Sequence, residues 1–510
     1  MRTLMLILGD HPLTIEEIVQ VARKNGKVSI GDNAKNLVSQ SCQILNNIVQ
    51  SDKPVYGINT GFGIFSDKKI KGEEANQLSR NLILSHAVGT GPILPVEVTR
   101  AAMLVRANTL AKGFSGVRIE IIETLVEMLN KGVVPVVPSQ GSLGSSGDLC
   151  PLSHLALVFT TDINDVEAES GYAEVDGQVL TGKQAMETAG IKRIVLGPKE
   201  GLAINNGATF SAAIGALAVY DSDYLIDLAD RSVAMTLEAL LGCSGAFDKR
   251  IHQARGQIGQ LVSAEMIRNS FEGSTFVDSS DNIQDAYSLR CSPQIHGSVR
   301  DTIVYVKLIV EREINAATDN PLIFEPGDAI SGGNFHGEPV GLVMDFLSIA
   351  LCELGAIAER RIFRMTDGKL NMGLPPMLVD SIEKAGLNSG MMMLQYTAAS
   401  LVLENQTLAT PDSVHSLPTS AEQEDHNANS MTAARHTAMI IDNLQQILGI
   451  ELYMSVRALD LRLRIQNGKM GKETNNLYSR IRSRIKYTAG DTYWAPEINL
   501  TKQLVKDQEL

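Results

Sequence analysis

Gly141-Ser142-Leu143-Gly144-Ser145-Ser146-Gly147-Asp148 runs directly into Leu149-Cys150-Pro151-Leu152-Ser153-His154-Leu155-Ala156-Leu157-Val158-Phe159. The first eight residues hold three glycines and three serines and cannot sustain a helix. The residues after them can. Asp148 is a good N-cap, and Pro151 falls in the first turn, where a missing N–H does no harm. Leu152, Leu155, Ala156 and Phe159 then form one apolar face. The stretch reads as a loop delivered onto a helix N-terminus, with Ser145-Ser146-Gly147 just ahead of that helix. Val133 to Pro138 leads into it as extended chain.

Outward from this point, helical periodicity dominates. On the N-terminal side the pattern predicts a strand at the start, a helix over Ile15 to Arg23, a short strand at Val28 to Ile30, and helices over Ala34 to Val49, 73–87, 96–112 and 117–131. On the C-terminal side a hairpin is expected around Gly171 to Gly177 and Leu180. Long helices follow over 202–219, 221–241, 294–316, 338–365, 387–405 and 430–467, with loops at 243–282, 318–337 and 406–429. The expected fold is mainly α, with a small mixed N-terminal region and a large, elongated C-terminal helix bundle. Along the chain, residues 1–200 carry the Tyr56 loop and the Ser145-Ser146-Gly147 tripeptide, and residues 201–510 form the long-helix part, for oligomerisation and substrate binding.

Composition narrows the function. The net charge of the 510 residues is −13, and no basic block of useful length is present. Arg360-Arg361 and the Arg480 to Lys486 stretch are short and sit in helical contexts, so a solvated face is expected rather than a nucleic-acid track. Cys42, Cys150, Cys243, Cys291 and Cys352 are scattered and odd in number, which fits reduced cytoplasmic thiols. The apolar opening Met1 to Leu8 ends at Gly9-Asp10 with no small-residue cleavage site. No uninterrupted run reaches the roughly 18 apolar residues of a membrane span. The histidines never form His-Glu-x-x-His or another close ligand cluster, so no metal site is expected.

Three polar, glycine-rich loops interrupt the apolar scaffold: 55–63, 141–148 and 331–338. Loops on rigid frames are where function concentrates. The tripeptide has a specific chemical capacity. Glycine lacks a Cβ, so in a tightly bent chain the Gly147 nitrogen can approach and attack the Ser145 carbonyl carbon. Loss of water closes a five-membered ring. Loss of the Ser146 hydroxyl as a second water leaves an exocyclic methylidene. The product is a strong electrophile with no metal and no external cofactor. Taken alone, the tripeptide has a plainer reading as a flexible turn before a helix.

Its context resembles the aromatic amino-acid ammonia-lyases, which carry such a self-made 4-methylidene-imidazol-5-one. The matching residues are Gly141-Ser142-Leu143-Gly144, Gly147-Asp148-Leu149, Pro151-Leu152 and His154. Further blocks match in the same order: Tyr56-Gly57-Ile58-Asn59-Thr60-Gly61-Phe62-Gly63, Lys199-Glu200-Gly201-Leu202-Ala203 with Asn206-Gly207, and Gln284-Asp285-Ala286-Tyr287-Ser288-Leu289-Arg290-Cys291. Ser331 to His336, Ser416-Leu417-Pro418-Thr419-Ser420 and Gln423-Glu424-Asp425-His426 complete the set, over about residues 10 to 465. Two departures stand out. The family usually has alanine first in the tripeptide, where this chain has Ser145. Because the ring uses only that residue's backbone carbonyl, it would carry a hydroxymethyl in place of a methyl. Members also commonly have Val-Ser-Met after the Glu-Asp-His block, where this chain has Asn427-Ala428-Asn429.

The resemblance implies roles. Substrate amine adds to the methylidene carbon, which makes it a better leaving group. Tyr56 matches the loop tyrosine that takes the β-proton; its plainer reading is a packed loop aromatic. Arg290 matches the group that holds the substrate carboxylate, for which a guanidinium is suited, and is otherwise a structural salt-bridge partner. Tyr287, one helical turn before it, partners the electrophile, and Gln284 helps hold the substrate. Asn206 hydrogen-bonds the ring oxygen. Ser85-His86 resembles the histidine-using branch, in which L-histidine loses ammonia to give trans-urocanate. A pocket pairing both imidazole nitrogens discriminates against phenyl. His86 and Glu424 are the expected partners, although a histidine in such a place is otherwise a satisfied structural one. Phe335 walls the pocket, and His154, His336 and His426 are structural or supporting. The family forms homotetramers in which neighbouring subunits complete each active site, so the same assembly is expected here.

Three rival readings remain. An aminomutase of the same family returns ammonia to the β-carbon and shares these motifs. A tyrosine ammonia-lyase is opposed by Ser85-His86. A helical homologue without catalysis rests on Ser145 alone, against intact Tyr56, Ser146, Gly147, Asn206, Tyr287 and Arg290.

Overall fold

The computed structural model describes residues 5–50, 55–60, 70, 74–325 and 327–510. Met1 to Leu4 of the expected first strand and Gly61-Phe62-Gly63 of the glycine-rich loop lie outside the described residues. By contact the chain forms two compact units. One comprises Met1–Tyr220, Lys307–Asp345 and Pro411–Arg435; the other comprises Asp221–Val306, Phe346–Thr410 and His436–Leu510. The expected division at residue 200 is one of function along the chain. The units are a grouping by contact, and each takes three stretches.

All the strands lie in the first unit. Leu6–Leu8 pairs in parallel with Val28–Ile30. Between them, the helix Ile15–Lys24 starts at a reciprocal cap: Glu17 N donates to Thr14 Oγ1 at 3.2 Å, and Thr14 N donates to Glu17 Oε2 at 2.9 Å. Asp32–Gln50, Ala75–His86, Val96–Ala111 and Ile119–Lys131 follow, each within a few residues of its expected span. The expected hairpin forms as Tyr172–Val175 against Gln178–Thr181. Its turn residues Asp176 and Gly177 both have positive φ, 50° and 76°, as a two-residue hairpin turn of this twist requires. Val134–Pro135 adds a third strand to it, and Thr90–Ile93 pairs with Pro138–Gln140, which positions the loop that follows.

Val96–Ala111 is the central helix of this unit, buried continuously from Val98 to Ala111. Its two buried arginines are bound at their head groups. Arg100 donates to the carbonyls of Val21 and Leu129. Arg106 donates to Ala203 O, Thr209 Oγ1 and Thr318 Oγ1. A charge this deep is tolerable only when paired in this way.

Among the described residues the second unit is helical throughout. Arg361 and Glu451 form a fully buried two-point ion pair at its centre, with Nη2–Oε2 at 2.9 Å. Three expectations are corrected here. The break expected near residue 220 is absent: Thr209–Ala239 is one helix of 31 residues, because Asp221, Ser222 and Asp223 include neither glycine nor proline. The helix expected from 202 is instead the short Glu200–Asn205, which ends where Gly207 takes φ 99°. The segment 243–282, read as a loop, contains the helices Lys249–Arg255 and Ile258–Ser270. The first is capped by Asp248, which accepts from Arg250 N, and ends at left-handed Gly256.

Among the described residues one helix, Glu338–Thr366, is long and apolar enough to cross a membrane, but 72% of its apolar window is buried in the protein. That is the property of a core helix.

Candidate active site

A cavity of about 1090 Å³ opens in the first unit. Its lining includes Tyr56, Ser85, His86, Ser145, Ser146, Asn206, Phe335 and Glu424. Eight of the residues singled out in the sequence therefore share one space. Gly147 adjoins it in the chain. Gln284, Tyr287 and Arg290 belong to the second unit and are not among the lining residues. Tyr287 is 69% exposed, and the Arg290 guanidinium carbon stands 4.6 Å from the centre of its ring, so the expected shared face is present.

The tripeptide is held by its backbone. Gly207 N donates to Ser146 O at 3.0 Å, and Asp148 N donates to Gly207 O at 2.9 Å, pairing the two stretches side by side. The approach is so close that a Cβ on Gly147 would lie 2.0 Å from the Gly207 carbonyl carbon. Gly147 also has φ 75°, which an L side chain resists. Gly337 N donates to Gly144 O at 2.9 Å, and Asn429 N donates to Leu143 O at 2.7 Å. Asn429, part of the unusual Asn427-Ala428-Asn429 stretch, thus grips the tripeptide loop through its backbone.

Asp148 differs from expectation. It stands at the N-cap position of Leu149–Phe159 but makes no side-chain cap bond there. Its Oδ2 instead accepts from Ser211 N and Ser211 Oγ, both at 2.9 Å, and its Oδ1 accepts from Ser142 Oγ at 2.9 Å. It therefore caps Thr209–Ala239, a helix far along the chain, and ties that helix to the loop. Burial pushes its carboxyl above the usual range, offset by those donors.

The side chains on the rim are organised by hydroxyls. Ser145 Oγ donates to Glu424 Oε2 at 2.8 Å, and Ser146 Oγ donates to Oε1 at 3.2 Å. Thr419 Oγ1 is the third hydroxyl donor to the carboxylate and the second to Oε2, at 3.2 Å. Ser85 Oγ contacts His86 Nδ1 at 3.0 Å and donates to Leu82 O at 3.2 Å. With the hydroxyl proton committed to Leu82, the bond to His86 requires a proton on Nδ1, which makes Nε2 an acceptor. Burial lowers the His86 pKa from its ordinary 6.5, against the raising effects of the Leu82 carbonyl and Glu424. That shift favours the neutral imidazole at pH 7 and above.

His336 Nδ1 accepts from Glu338 N at 3.3 Å, so its Nε2 donates to His426 O at 3.1 Å. His154 Nε2 accepts from Gly89 N at 2.9 Å. These bonds fix local backbone, and His336 and His426 also line the cavity.

Three groups escaped the sequence reading. Gly207 N, and not the expected Asn206 side chain, donates to the Ser146 oxygen; its motif was visible, but a backbone donor has no side-chain signature. Asn206 Nδ2 donates to Asp319 Oδ1 and Asn320 O, both at 3.3 Å. Asp319 in turn pairs with Lys199 Nζ at 2.5 Å, both side chains fully buried. The run Thr318-Asp319-Asn320 was the available signal. In the loop before the cavity, Val55 N donates to Asn59 Oδ1 at 2.7 Å, which holds the turn carrying Tyr56.

The chain is 48% identical over 504 residues to a histidine ammonia-lyase of Caldanaerobacter subterraneus subsp. tengcongensis, covering 98% of this chain and 96% of the relative. A crystal structure of histidine ammonia-lyase from Trypanosoma cruzi superposes with a TM-score of 0.90 at 35% identity, covering 99% and 94% of the two chains. A tyrosine aminomutase from Streptomyces globisporus superposes with a TM-score of 0.92 at 32% identity, covering 99% and 97%. The mainly helical fold with small N-terminal strands is thus that of ammonia-lyases and aminomutases. A family model for aromatic amino acid lyases matches residues 13–483, and the chain belongs to that family.

Proposed function

We propose that this protein is a carbon–nitrogen lyase that eliminates ammonia from L-histidine to give trans-urocanate, using a methylidene-imidazolone formed from Ser145, Ser146 and Gly147. The observation that carries this reading is the shared cavity: the neutral His86 and the carboxylate of Glu424 line the same space as Ser145 and Ser146. Relatives at 43–48% identity over nearly their whole length bear the name histidine ammonia-lyase, which supports the substrate.

The residues present fit the group. Ring closure requires a residue without a side chain at 147, and the approach of Gly207 leaves space for none. It requires a hydroxyl at 146, and Ser146 supplies it. The ring oxygen would be the Ser146 carbonyl oxygen, which already receives Gly207 N. When formed, the group supplies an electron-poor carbon that takes up the substrate amine.

The chain's own residues do the rest. His86 Nε2 accepts the N–H of the substrate imidazole, and Glu424 faces the other nitrogen. Phe335 packs against the ring. The Tyr56 hydroxyl takes the β-proton. Gly207 N stabilises charge on the Ser146 oxygen, aided by the N-terminus of Leu149–Phe159. Asn206 joins it by releasing one of its two long bonds. Gln284, Tyr287 and Arg290 reach the cavity from a neighbouring copy in a homotetramer, with Arg290 taking the carboxylate. The exposure of Gln284 and Tyr287 on a single chain supports that placement.

The test is incubation of purified protein with L-histidine, L-tyrosine and L-phenylalanine, following acrylate absorbance and ammonia. Urocanate with matching ammonia from L-histidine is expected, and Ser146→Ala should lose the rate by orders of magnitude. β-Histidine without free ammonia would mean an aminomutase, a reading that otherwise draws on the shared motifs and on likeness to a tyrosine aminomutase at 32% identity. An active protein whose mass shows no loss of water at the tripeptide would overturn the chemistry.

A further inference from the structure

Ser145 is where this chain departs from the alanine expected at the head of the tripeptide, and its hydroxyl is not idle. It donates to Glu424 Oε2 at 2.8 Å, the shortest of the three hydroxyl contacts to that carboxylate. The side chain is 8% exposed, so water competes poorly for the bond.

The three contacts are not equivalent once the ring exists. Ring closure consumes the Ser146 hydroxyl: its oxygen leaves as water with the Ser146 Cα hydrogen, and the contact to Oε1 goes with it. It consumes only the backbone carbonyl oxygen of Ser145, which leaves as water with the hydrogens of two amide nitrogens. The Ser145 hydroxyl survives. Glu424 is then bound through Oε2 alone, by Ser145 and Thr419, and Oε1 is free to face the cavity.

Little else holds the carboxylate. Glu424 follows Ser420, Ala421 and Glu422, three successive residues at φ 50°, 51° and 67°, in a turn closed by the Thr419–Glu424 backbone pair and by Gln423 N donating to Ser420 O at 3.1 Å. No helix or sheet fixes the direction of its side chain.

We infer that Ser145 is a positioning residue: its hydroxyl, spared by ring closure, anchors Glu424 through Oε2 and presents Oε1 to the substrate imidazole. This rests on the histidine-lyase reading above. An alanine at this position would leave Thr419, at 3.2 Å, as the one hydroxyl on the carboxylate.

The experiment compares the purified wild type with Ser145→Ala and Ser145→Thr. Intact mass reports ring formation, and calorimetry reports binding of imidazole propanoate and phenyl propanoate, which cannot react. All three proteins should lack two waters relative to their linear chains. Ser145→Ala should bind imidazole propanoate about tenfold more weakly, the scale of one hydrogen bond to a charged group, with phenyl propanoate unchanged. KM for L-histidine should rise more than kcat falls, and Ser145→Thr, which keeps the hydroxyl, should restore both. A Ser145→Ala protein with two waters lost and undiminished imidazole binding overturns the inference and leaves the lyase reading standing. So does one that has lost no water, since Ser145 would then act in ring formation. Absence of urocanate from the wild type would instead remove the reading beneath it.

Discussion

Gly147 and Gly207 lie backbone to backbone, so close that a single added carbon on Gly147 would stand 2.0 Å from the Gly207 carbonyl carbon. The contact does two things. It bends the chain where the Gly147 nitrogen must reach the Ser145 carbonyl, and it places Gly207 N on the Ser146 oxygen at 3.0 Å. Gly147→Ala therefore meets both a steric overlap and a φ of 75° that alanine resists. The variant is expected to retain the mass of its linear chain and to lose urocanate formation by orders of magnitude. Intact mass and rate measured on the same sample check it.

His86 should decide between ring types. Its imidazole is neutral and offers an acceptor to the cavity, so His86→Phe leaves the substrate N–H unpaired in a buried site. KM for L-histidine should rise by about tenfold to hundredfold, while L-phenylalanine turnover increases relative to L-histidine. Because burial lowers the His86 pKa below 6.5, lowering the pH from 8 to about 6.5 should not weaken histidine binding through this residue. Steady-state kinetics across that range test both statements.

Lys199 and Asp319 are a fully buried pair, and Asp319 also accepts from Asn206. Asp319→Ala strands the ammonium in the interior. A loss of about 3–5 kcal/mol of stability is expected, together with reduced activity as Asn206 keeps only its bond to Asn320 O and is less firmly placed. Pairing it with Lys199→Met should recover most of the stability and little of the activity. Denaturant unfolding and urocanate rates separate the two effects.

Glu238 in the second unit carries a different signature. It accepts from Gly471 N at 2.7 Å and Thr474 Oγ1 at 3.0 Å, but burial raises its carboxyl from 4.5 to about 7. The folded protein thus holds a proton that the unfolded chain has released between those values. Stability from this group is full below about pH 4.5 and falls as pH rises to about 7, by up to about 3 kcal/mol. Glu238→Gln should flatten that slope and melt above the wild type at about pH 8. Thermal midpoints across the range would decide it, and an unchanged slope would show that the proton is not held there.

Much of this was legible along the chain. The helix after Asp148 follows from Pro151 and the spacing of Leu152, Leu155, Ala156 and Phe159, all of which lie within a few residues of one another. The hairpin turn at Asp176-Gly177 follows from local backbone preference. The glycine-rich loops stood out against apolar helices by composition, whereas the individual residues gathered in the cavity were named through the resemblance of their motifs to the ammonia-lyase family. The run 243–282 misled in part because its first helix is only seven residues long and polar, with ends set by Asp248 and Gly256 rather than by an apolar stripe.

By itself the sequence determined the chemistry available: a serine and a glycine able to close a ring, a tyrosine, a histidine and a glutamate of the right kinds, and helices to carry them. Only the tertiary structure decided which atoms meet. Asp148 caps a helix that begins at Thr209, not its own, and Ser145 reaches Glu424 across 279 residues. Such pairings leave no trace in periodicity or spacing. A hydrogen bond depends on separation in space to within a few tenths of an ångström, and that separation is set by the packing of the whole unit.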